Sequence, residues 1–532
     1  MKGPTGISAA DFAAAIAEWQ NVVGKQWVFT AAEDVDLSRD AYSPLRGEAD
    51  EREASAAIAP ASVEEVQAIV RVANRRKIPL YPISTGKNLA YGGSAPAYSG
   101  SVILDLKRMN RILEVNEANC SALVEPGVSY FDLYRHIREN KLKLWIDTPD
   151  PGWGSPLGNA LDHGAGYTSA PYRDHFAAQC GLEVVLADGE IVRTGMGAMP
   201  AAKTWQQFKY GTGPTLDGIF SQSNFGVVTK MGFWLMPEPE CALSVTVTVP
   251  RHDDLPGLCD TLISLIYADI IKSQTQAVSP VLHDEDATPE LAALLKRWDD
   301  GRVAALDAYA QKKGLPFWTA PFTFYGPEAV VRAQWEYAKS RFASIPGAQF
   351  HEDAFLKFPL TDEQVSQATS KARFGLPSLL MFSSRRGPNG APLEGHVGFS
   401  PVVPMRGSDI LQAINVTLKA LHDLGIVPVG GMPLFYHLRT AMLIYSFPVG
   451  RDPVANKVVR EACTRMIDLC AQHGWGEYRM HPAYVDQGVR LYNFNNNSLL
   501  KVHEKLKDAL DPNGILSAGR YGIWPRHLRN GR

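Results

Sequence analysis

The amino-acid sequence predicts an α+β protein of two domains, in which a second α+β unit is inserted into the first. The chain has 532 residues, more than a single hydrophobic core usually accommodates. Short helical and strand patterns alternate over residues 1–242, whereas longer helical segments separate the strand-like ones over residues 243–473. Residues 474–532 form a third segment, which we expect to return to the first domain.

The composition excludes several classes of protein. Hydrophobic residues make up 45% of the chain and charged residues 20%, as in ordinary globular proteins. The 53 basic and 56 acidic residues leave a net charge of −3, so we expect no nucleic-acid partner. Residues 1–20 lack the apolar core of a signal peptide, and no run of about eighteen apolar residues predicts a membrane span. A cytoplasmic protein is expected.

The cysteines predict neither disulfide bonds nor a metal site. There are six of them, scattered along the chain and without a C-x-x-C pair. In a chain of this length such spacing argues against a disulfide framework and against structural zinc. We therefore expect free thiols and no bound metal.

The elements of residues 1–242 follow from local patterns. Ser62 is a suitable N-cap for a helix over 63–76, and Gly189 closes a predicted turn. Residues 150–170, rich in Gly, Pro, Ser and Asn, predict an extended loop that lines a site. We predict helices at 11–24, 63–76 and 130–140, strands at 79–83, 101–106 and 122–124, and a hairpin of 182–186 with 190–193.

The inserted unit has a different pattern. Its strand-like segments are short and apolar, and its helical segments show the 3.6-residue period. We predict strands at 243–249, 379–382, 396–401 and 441–447, and helices at 258–268, 290–298, 328–342, 410–423 and 458–472. One further helix, at 499–510, is predicted in the C-terminal segment.

A glycine-rich turn, STGKNLAYGG at 84–93, is the first candidate binding feature. Gly86, Gly92 and Gly93 let backbone N–H groups approach a ligand closely, and concave arrays of such groups bind phosphates. The spacing matches neither a dinucleotide-binding fingerprint nor a Walker loop, and no helix follows directly. Taken alone, such a turn is more often structural than functional.

The motifs around this turn resemble a known flavoprotein family. PISTGKNLAYGG at 82–93 is followed by SVILDL at 101–106, LVEPGV at 123–128, GNA at 158–160 and GLEVVLADG at 181–189. RTGMG at 193–197, GPTLDG at 213–218, SQSNFGVVTK at 221–230, WGEYR at 475–479 and DPNGIL at 511–516 continue the series. In this order they resemble the vanillyl-alcohol oxidase and p-cresol methylhydroxylase family, with bacterial eugenol and 4-alkylphenol oxidases nearest. The resemblance covers nearly the whole chain.

This resemblance implies a fold and a cofactor. It implies an FAD-binding domain of the p-cresol methylhydroxylase type, built from residues 1–242 and 474–532, with residues 243–473 as a cap over the flavin ring. The residues that we assign to FAD are Ser84, Thr85, Gly86, Lys87, Asn88, Gly92, Gly93, Pro149, Gly158, Asn159 and Arg520.

The resemblance also implies a phenol site. Tyr91, Tyr478 and Arg479 match the family residues that hold the phenolate oxygen of the substrate. The chemistry is consistent, because a phenol has a pKa near 10 and ionises at neutral pH only beside hydrogen-bond donors and a permanent positive charge. A tyrosine considered singly is more often a packed aromatic residue than a ligand of the substrate.

Asp150 matches the family carboxylate beside the reacting carbon. Electron density from the phenolate would let a hydride leave the para benzylic carbon for flavin N5 and give a p-quinone methide. Asp150 would stabilise positive charge there or accept a proton from water as it adds. Its alternative role is an Asx-turn before Pro151 and Gly152.

His396 matches the histidine that the oxidases of the family link to the flavin. The cresol dehydrogenase branch uses a tyrosine slightly upstream, and this chain has none between Tyr337 and Tyr436. The fungal oxidase activates the linked histidine with an N-terminal one, whereas the first histidine here is His136. Candidates for that assisting role are Tyr42, Arg46 and Glu48.

Three functions remain open at this point. The first is an FAD-dependent oxidase of 4-hydroxybenzylic alcohols, 4-alkylphenols or eugenol-like compounds, with a phenol and O2 as partners and H2O2 as product. The second is a dehydrogenase or hydroxylase that passes electrons to a cytochrome c, and the third is a non-catalytic flavin-binding protein. The segments 383–393 and 432–437 depart from the family pattern, so the preferred phenol is left undetermined. We expect a homodimer.

Overall fold

The structure is a computed structural model that describes residues 3–170, 172–282, 288–384, 393–426 and 430–529. Most of the segment 383–393, whose length departs from the family, lies outside the described residues.

The N-terminal part begins with a four-stranded sheet backed by two helices. Ser62 caps the second helix by accepting a hydrogen bond from the Glu65 N–H, as the sequence predicts. Trp19 of the first helix is fully buried, and its indole N–H donates to the Ile69 carbonyl at 3.2 Å. The helices are Ala9–Val23 and Val63–Arg76, and the strands, in sheet order, are Val28–Phe29, Ala56–Ile58, Val102–Asp105 and Leu80–Ile83.

A five-stranded antiparallel sheet completes this part of the chain. Its strands, in sheet order, are Ile112–Asn116, Ser121–Val124, Val227–Trp234, Gln179–Val185 and Ile191–Arg193. The last two form the predicted hairpin. Further helices here are Ala32–Asp36, Tyr130–Glu139 and Pro156–Leu161, and Leu144–Trp145 pairs with Met236–Pro237.

The inserted unit has two sheets of its own around one large hydrophobic core. One sheet contains Trp318–Gly326, Cys241–Val249 and Gln349–Lys357, with Cys241–Val249 in the centre. The other contains Thr275–Gln276, Gly430–Phe435, Thr440–Val449, Gly395–Phe399 and Val402–Pro404. Its helices are Leu255–Tyr267, Pro289–Leu295, Arg302–Lys313, Glu328–Phe342, Asp362–Gln367, Met381–Ser384, Gly407–Asp423 and Pro453–Gln472.

The C-terminal segment returns to the N-terminal part. It contains the helices Val485–Val489, Phe494–Leu510 and Arg526–Arg529. Leu516 pairs with Leu80 at the edge of the first sheet, and Ile515 and Leu516 enter the core of that sheet. The two-domain fold with an inserted α+β unit is therefore confirmed, while the boundaries at 242 and 473 stay predictions.

Two local predictions are wrong. Residues 150–170 are not extended throughout, because Ser155 caps a short helix, Pro156–Leu161, whose first residue is proline. Residues 379–382 do not form a strand but lead into the helix Met381–Ser384. A short apolar run is compatible with either element, and here the Ser378 carbonyl accepts from the Gly152 N–H rather than from a neighbouring strand.

Two findings concern disulfide bonds and membrane-spanning helices. All six cysteines lie in the described residues as free thiols. Among the residues that the structure describes, no helix is both long and apolar enough to span a bilayer.

A buried ion pair closes the C-terminal segment onto the N-terminal part. The side chains of Lys507 and Asp511 are fully buried, with Nζ 2.6 Å from Oδ2. Lys507 also donates to the carbonyls of Asn224 and Leu516, at 2.9 and 2.7 Å. The pair thus joins the C-terminal segment to the stretch around Asn224, which is distant in sequence.

We predict that Lys507→Met destabilises the protein, because it leaves a buried carboxylate without its cation. Breaking such a pair costs about 3–5 kcal/mol. The control is Lys312→Met, which removes an exposed partner of Glu290 and should cost less than about 1 kcal/mol. Thermal unfolding followed by circular dichroism measures both, and equal melting temperatures for the two variants would contradict the prediction.

Candidate functional site

One cavity of about 320 Å³ brings the predicted site residues together. Fifteen of the sixteen predicted site residues line this cavity. Gly92 is the exception: it lies against Pro482, and a side-chain carbon there would come within 2.5 Å of the Pro482 ring. Gly92 thus packs against Pro482, and its assignment to the cofactor stays a prediction. The lining residues among those predicted are Ser84, Thr85, Gly86, Lys87, Asn88, Tyr91, Gly93, Pro149, Asp150, Gly158, Asn159, His396, Tyr478, Arg479 and Arg520.

The glycine-rich loop and the helix Pro156–Leu161 form one wall of the cavity. Gly86 and Gly93 have left-handed backbones, with φ of 68° and 55°. The Asn88 carbonyl accepts from the N–H groups of Tyr91 and Gly93, which closes the loop on itself. A side chain at Gly158 would come within 2.2 Å of the Ser84 hydroxyl, so only glycine lets the helix approach the loop this closely.

The three residues assigned to the phenolate are in contact. The Arg479 guanidinium carbon lies 4.1 Å from the Tyr91 ring centroid and 5.1 Å from that of Tyr478. Burial opposes the charge of Arg479, but Tyr478 and Tyr91 more than offset that effect, so its pKa lies above the usual value. The cavity wall therefore carries a permanent cation stacked against an aromatic ring.

Backbone pairing fixes the segment that bears Tyr478 and Arg479. The Tyr478 N–H donates to the Ser400 carbonyl at 3.0 Å, and the Val402 N–H donates to the Gly476 carbonyl at 2.8 Å. Glu477 accepts from the Ser400 N–H, and burial raises the pKa of the Glu477 carboxyl to about 8. Burial therefore favours the neutral form of this carboxyl and so weakens the negative charge beside Arg479.

The Tyr478 hydroxyl departs from its expected role. It donates a hydrogen bond to the His163 carbonyl oxygen. Burial also raises the pKa of Tyr478, despite the neighbouring charge of Arg479, so the hydroxyl keeps its proton. To donate to a phenolate, Tyr478 has to release the His163 carbonyl.

Asp162 is a site residue that sequence reasoning missed. Its Oδ1 accepts from Arg520 at 2.6 Å and from the Tyr521 hydroxyl at 2.7 Å, and its Oδ2 accepts from Asn88 at 2.8 Å. Arg479 is 3.5 Å from the same Oδ2. Burial alone would raise the pKa of Asp162, but Arg520 and Arg479, together with the hydrogen bonds from Tyr521 and Asn88, hold it below its usual value.

Asp150 lines the cavity at the end of a rigid stretch of chain. Three residues upstream, the buried Asp147 accepts from the Thr168 N–H at 2.6 Å and pairs with His175 at 2.6 Å. His175 also contacts the Tyr130 hydroxyl at 3.0 Å. This buried network anchors the chain that leads to Asp150.

His396 lies in the strand Gly395–Phe399, which pairs with Thr440–Val449. Its ring is buried, and the Tyr42 ring lies 5.3 Å away, centroid to centroid. Of the other two assisting candidates, Arg46 donates to the Ala41 carbonyl and Glu48 pairs with Arg460. Tyr42 is therefore the candidate that the fold places beside His396.

Two further tyrosines line the cavity and were not predicted. The Tyr436 hydroxyl donates to that of Tyr167 at 3.2 Å, and the rings meet edge to face. Burial, followed by the proximity of Tyr167, raises the pKa of Tyr436 well above its usual value. Tyr436 belongs to the segment 432–437, whose departure from the family pattern was the available signal.

The cavity is suited to a flavin dinucleotide. Its glycine-rich wall offers backbone N–H groups, and Arg520 offers a cation for an anionic part of the ligand. In the part of the cavity lining that the structure describes, the buried Arg479 Nε has no hydrogen-bond partner. Buried polar groups are normally satisfied, so this N–H is available to a ligand.

The sequence matches two protein-family models and a characterised flavoprotein subunit. Residues 54–195 match the family described as "FAD binding domain", and residues 298–521 match "FAD linked oxidases, C-terminal domain". The 4-cresol dehydrogenase [hydroxylating] flavoprotein subunit of Pseudomonas putida is 31% identical over 98% of this chain and 97% of that protein.

Solved structures agree with the sequence matches. The 4-ethylphenol oxidase from Gulosibacter chungangensis, in an isoeugenol complex, aligns with a TM-score of 0.86 and 35% identity over 99% of this chain and 100% of that one. A substrate-bound p-cresol methylhydroxylase aligns with a TM-score of 0.85 and 30% identity, covering 98% and 99% of the two chains. The chain therefore belongs to the p-cresol methylhydroxylase and vanillyl-alcohol oxidase family of FAD-binding oxidoreductases.

Proposed function

We propose that this protein is an FAD-dependent oxidase of para-substituted phenols: 4-alkylphenols, 4-hydroxybenzylic alcohols and eugenol-like compounds. The observation that carries the proposal is the stack of Arg479 on Tyr91 and Tyr478 in the cavity that Asp150 and His396 also line. Binding FAD alone would require none of the stacked residues, which argues against a non-catalytic flavoprotein. The similarity to a 4-ethylphenol oxidase and a 4-cresol dehydrogenase supports this substrate class.

Arg479, Tyr91 and Tyr478 would bind the substrate as a phenolate. A guanidinium cannot lose its charge at physiological pH, and charge-assisted hydrogen bonds are about twice as strong as neutral ones. Gly398 leaves room for Tyr91, because a side-chain carbon there would come within 2.8 Å of the Tyr91 hydroxyl. The phenolate would push electron density through the ring and weaken the para benzylic C–H bond.

Asp150 would act at the other end of the ring. It would stabilise positive charge at the benzylic carbon, or accept a proton from water adding to the p-quinone methide. FAD, when bound, supplies the hydride acceptor. Ser84, Thr85, Gly86, Lys87, Asn88, Gly93, Pro149, Gly158, Asn159 and Arg520 would hold it, and His396 would be its point of covalent attachment.

Electron transfer to O2 rather than to a cytochrome is the second part of the proposal. The cresol dehydrogenase branch attaches its flavin through a tyrosine, and this chain has none between Tyr337 and Tyr436. We propose that His396, which has Tyr42 beside it, takes that place here. The alternative to an oxidase is a cytochrome c-coupled 4-alkylphenol dehydrogenase or methylhydroxylase. We also propose that the enzyme works as a cytoplasmic homodimer.

The first prediction about the proposed function is a covalent bond between FAD and His396. The purified protein should stay yellow after acid precipitation, because a covalent bond survives unfolding. His396→Ala should release its flavin on precipitation and reduce its flavin more slowly, while still binding FAD. Flavin found in the supernatant of the unchanged protein would contradict the linkage.

The second prediction concerns the electron acceptor. Reduced enzyme mixed with air-saturated buffer should reoxidise rapidly and give about one H2O2 per substrate oxidised. Stopped-flow absorbance and a peroxide assay measure the two quantities. Slow reoxidation in air that added cytochrome c accelerates would favour the alternative function.

The third prediction tests the phenolate. Arg479→Met keeps the length of the side chain but deletes the charge. Since a charge-assisted contact contributes about 1.5–3 kcal/mol, the rate of flavin reduction should fall roughly ten- to hundred-fold. Tyr91→Phe and Tyr478→Phe should act in the same direction but more weakly, because each removes one neutral donor.

Two controls accompany this prediction. Arg332→Met removes a guanidinium that is stacked on Phe355 in the inserted unit, away from the cavity, and should leave the rate unchanged. The para-O-methyl ether of a good substrate keeps its shape but cannot ionise, so it should react negligibly. If the ether reduces the flavin as fast as the parent phenol, the phenolate assignment fails.

A further inference from the structure

Asp162 joins four parts of the site through one carboxylate. It follows the helix Pro156–Leu161 directly and is only 5% exposed. Its oxygens bind Asn88 of the glycine-rich loop, Arg479 of the phenolate stack, and Arg520 and Tyr521 of the C-terminal segment. No other described carboxylate forms an ion pair with either arginine.

The carboxylate is shared unequally between the two arginines. Arg520 approaches Oδ1 to 2.6 Å, whereas Arg479 stands 3.5 Å from Oδ2. Arg520 also donates to the Tyr81 hydroxyl at 2.7 Å, so it is held on two sides. Two positive charges and one negative charge therefore leave about one net positive charge, which resides mainly on Arg479.

The other groups around Asp162 do not change this balance. Tyr478 and Tyr521 keep their protons, since burial raises the pKa of both. Burial lowers the pKa of His163, so this ring is neutral at physiological pH. Two other acids lie nearby: Asp174 pairs with His437, and burial raises the pKa of Glu477.

We propose that Asp162 acts through Arg479 to limit how strongly the cavity favours the anionic form of a bound phenol. Asp162 is in this sense a positioning and charge-setting residue, and the inference rests on the proposed function. With its carboxylate in place, Arg479 offers a phenolate one net positive charge. Without it, Arg479 would lose the negative charge that partly offsets its own, and the cavity would favour a phenolate more strongly.

The size of the effect follows from simple electrostatics. A unit charge several ångströms from the phenolate oxygen, at the effective dielectric of a protein, shifts an ionisation by about one pKa unit or more. Removing the negative charge should therefore lower the pKa of the bound phenol by about one unit. A change of one unit corresponds to a roughly ten-fold change in affinity at a pH where the phenolate is the bound form.

The experiment measures the pH dependence of phenol binding to the FAD-loaded protein. 4-Bromophenol is a suitable probe, because it ionises but has no benzylic hydrogen to lose. Its dissociation constant, obtained from the change in flavin absorbance between about pH 6 and pH 10, gives the pKa of the bound phenol. For Asp162→Asn we expect that pKa to be about one unit lower than in the unchanged protein, and binding near pH 7 to be about ten-fold tighter.

Glu183→Gln is the matched control. Glu183 is also a buried carboxylate between two basic side chains, Arg193 and Lys230, but it lies outside the cavity lining. Its loss should lower the melting temperature without moving the pKa of bound 4-bromophenol. The comparison separates the charge effect of Asp162 from the general cost of removing a buried ion pair.

The outcomes distinguish this inference from the proposed function. If the unchanged protein binds 4-bromophenol without favouring its phenolate, the proposed function fails. If it favours the phenolate but Asp162→Asn leaves the bound pKa unchanged or raises it, the role of Asp162 fails alone. If Asp162→Asn does not fold, Tyr521→Phe tests the inference instead. Loss of the Tyr521 hydrogen bond concentrates negative charge on Asp162, so the pKa of the bound phenol should rise. A constant or lower pKa would overturn the inference.

Discussion

A buried positive charge needs a partner, and this requirement organises the site. Arg479 and Arg520 both line a cavity within the fold, where the penalty for removing two guanidinium groups from water is large. Asp162 offsets that penalty, and by doing so it fixes the glycine-rich loop, the short helix before it and the C-terminal segment in one arrangement. The positions of Tyr91 and Tyr478 follow, because both rings stack on Arg479.

Much of the fold could be predicted because its signals are local. Ser62 fixes the start of its helix, and the apolar run of Cys241–Val249 marks a buried strand. The two strands flanking Cys241–Val249, Trp318–Gly326 and Gln349–Lys357, were not predicted. Both are edge strands, where a proline or charged side chains are tolerated, so Pro321 in one and the charges of the other hide the alternation that identifies a strand.

The site was predictable only where a motif carried it. Family motifs identified Tyr91, Asp150, His396, Tyr478 and Arg479, and all five line one cavity. Asp162 has no comparable signal, because its arginine partners stand more than 300 positions away in the sequence. The hydroxyl contact of Tyr478 with the His163 carbonyl was equally unpredictable, since it depends on how distant segments meet.

The residues that line the cavity are far apart in the sequence, and this affects when the cavity can form during synthesis of the chain. The lining starts at Tyr81 and is completed by Arg520, so most of the polypeptide must be synthesised before the cavity exists. Domains generally fold during synthesis from the N-terminus onward, but here the first domain awaits its last strand-edge contact, Leu516 beside Leu80. A chain that ends within the inserted unit lacks Tyr478, Arg479 and Arg520, so a truncated product of that length cannot form the complete cavity.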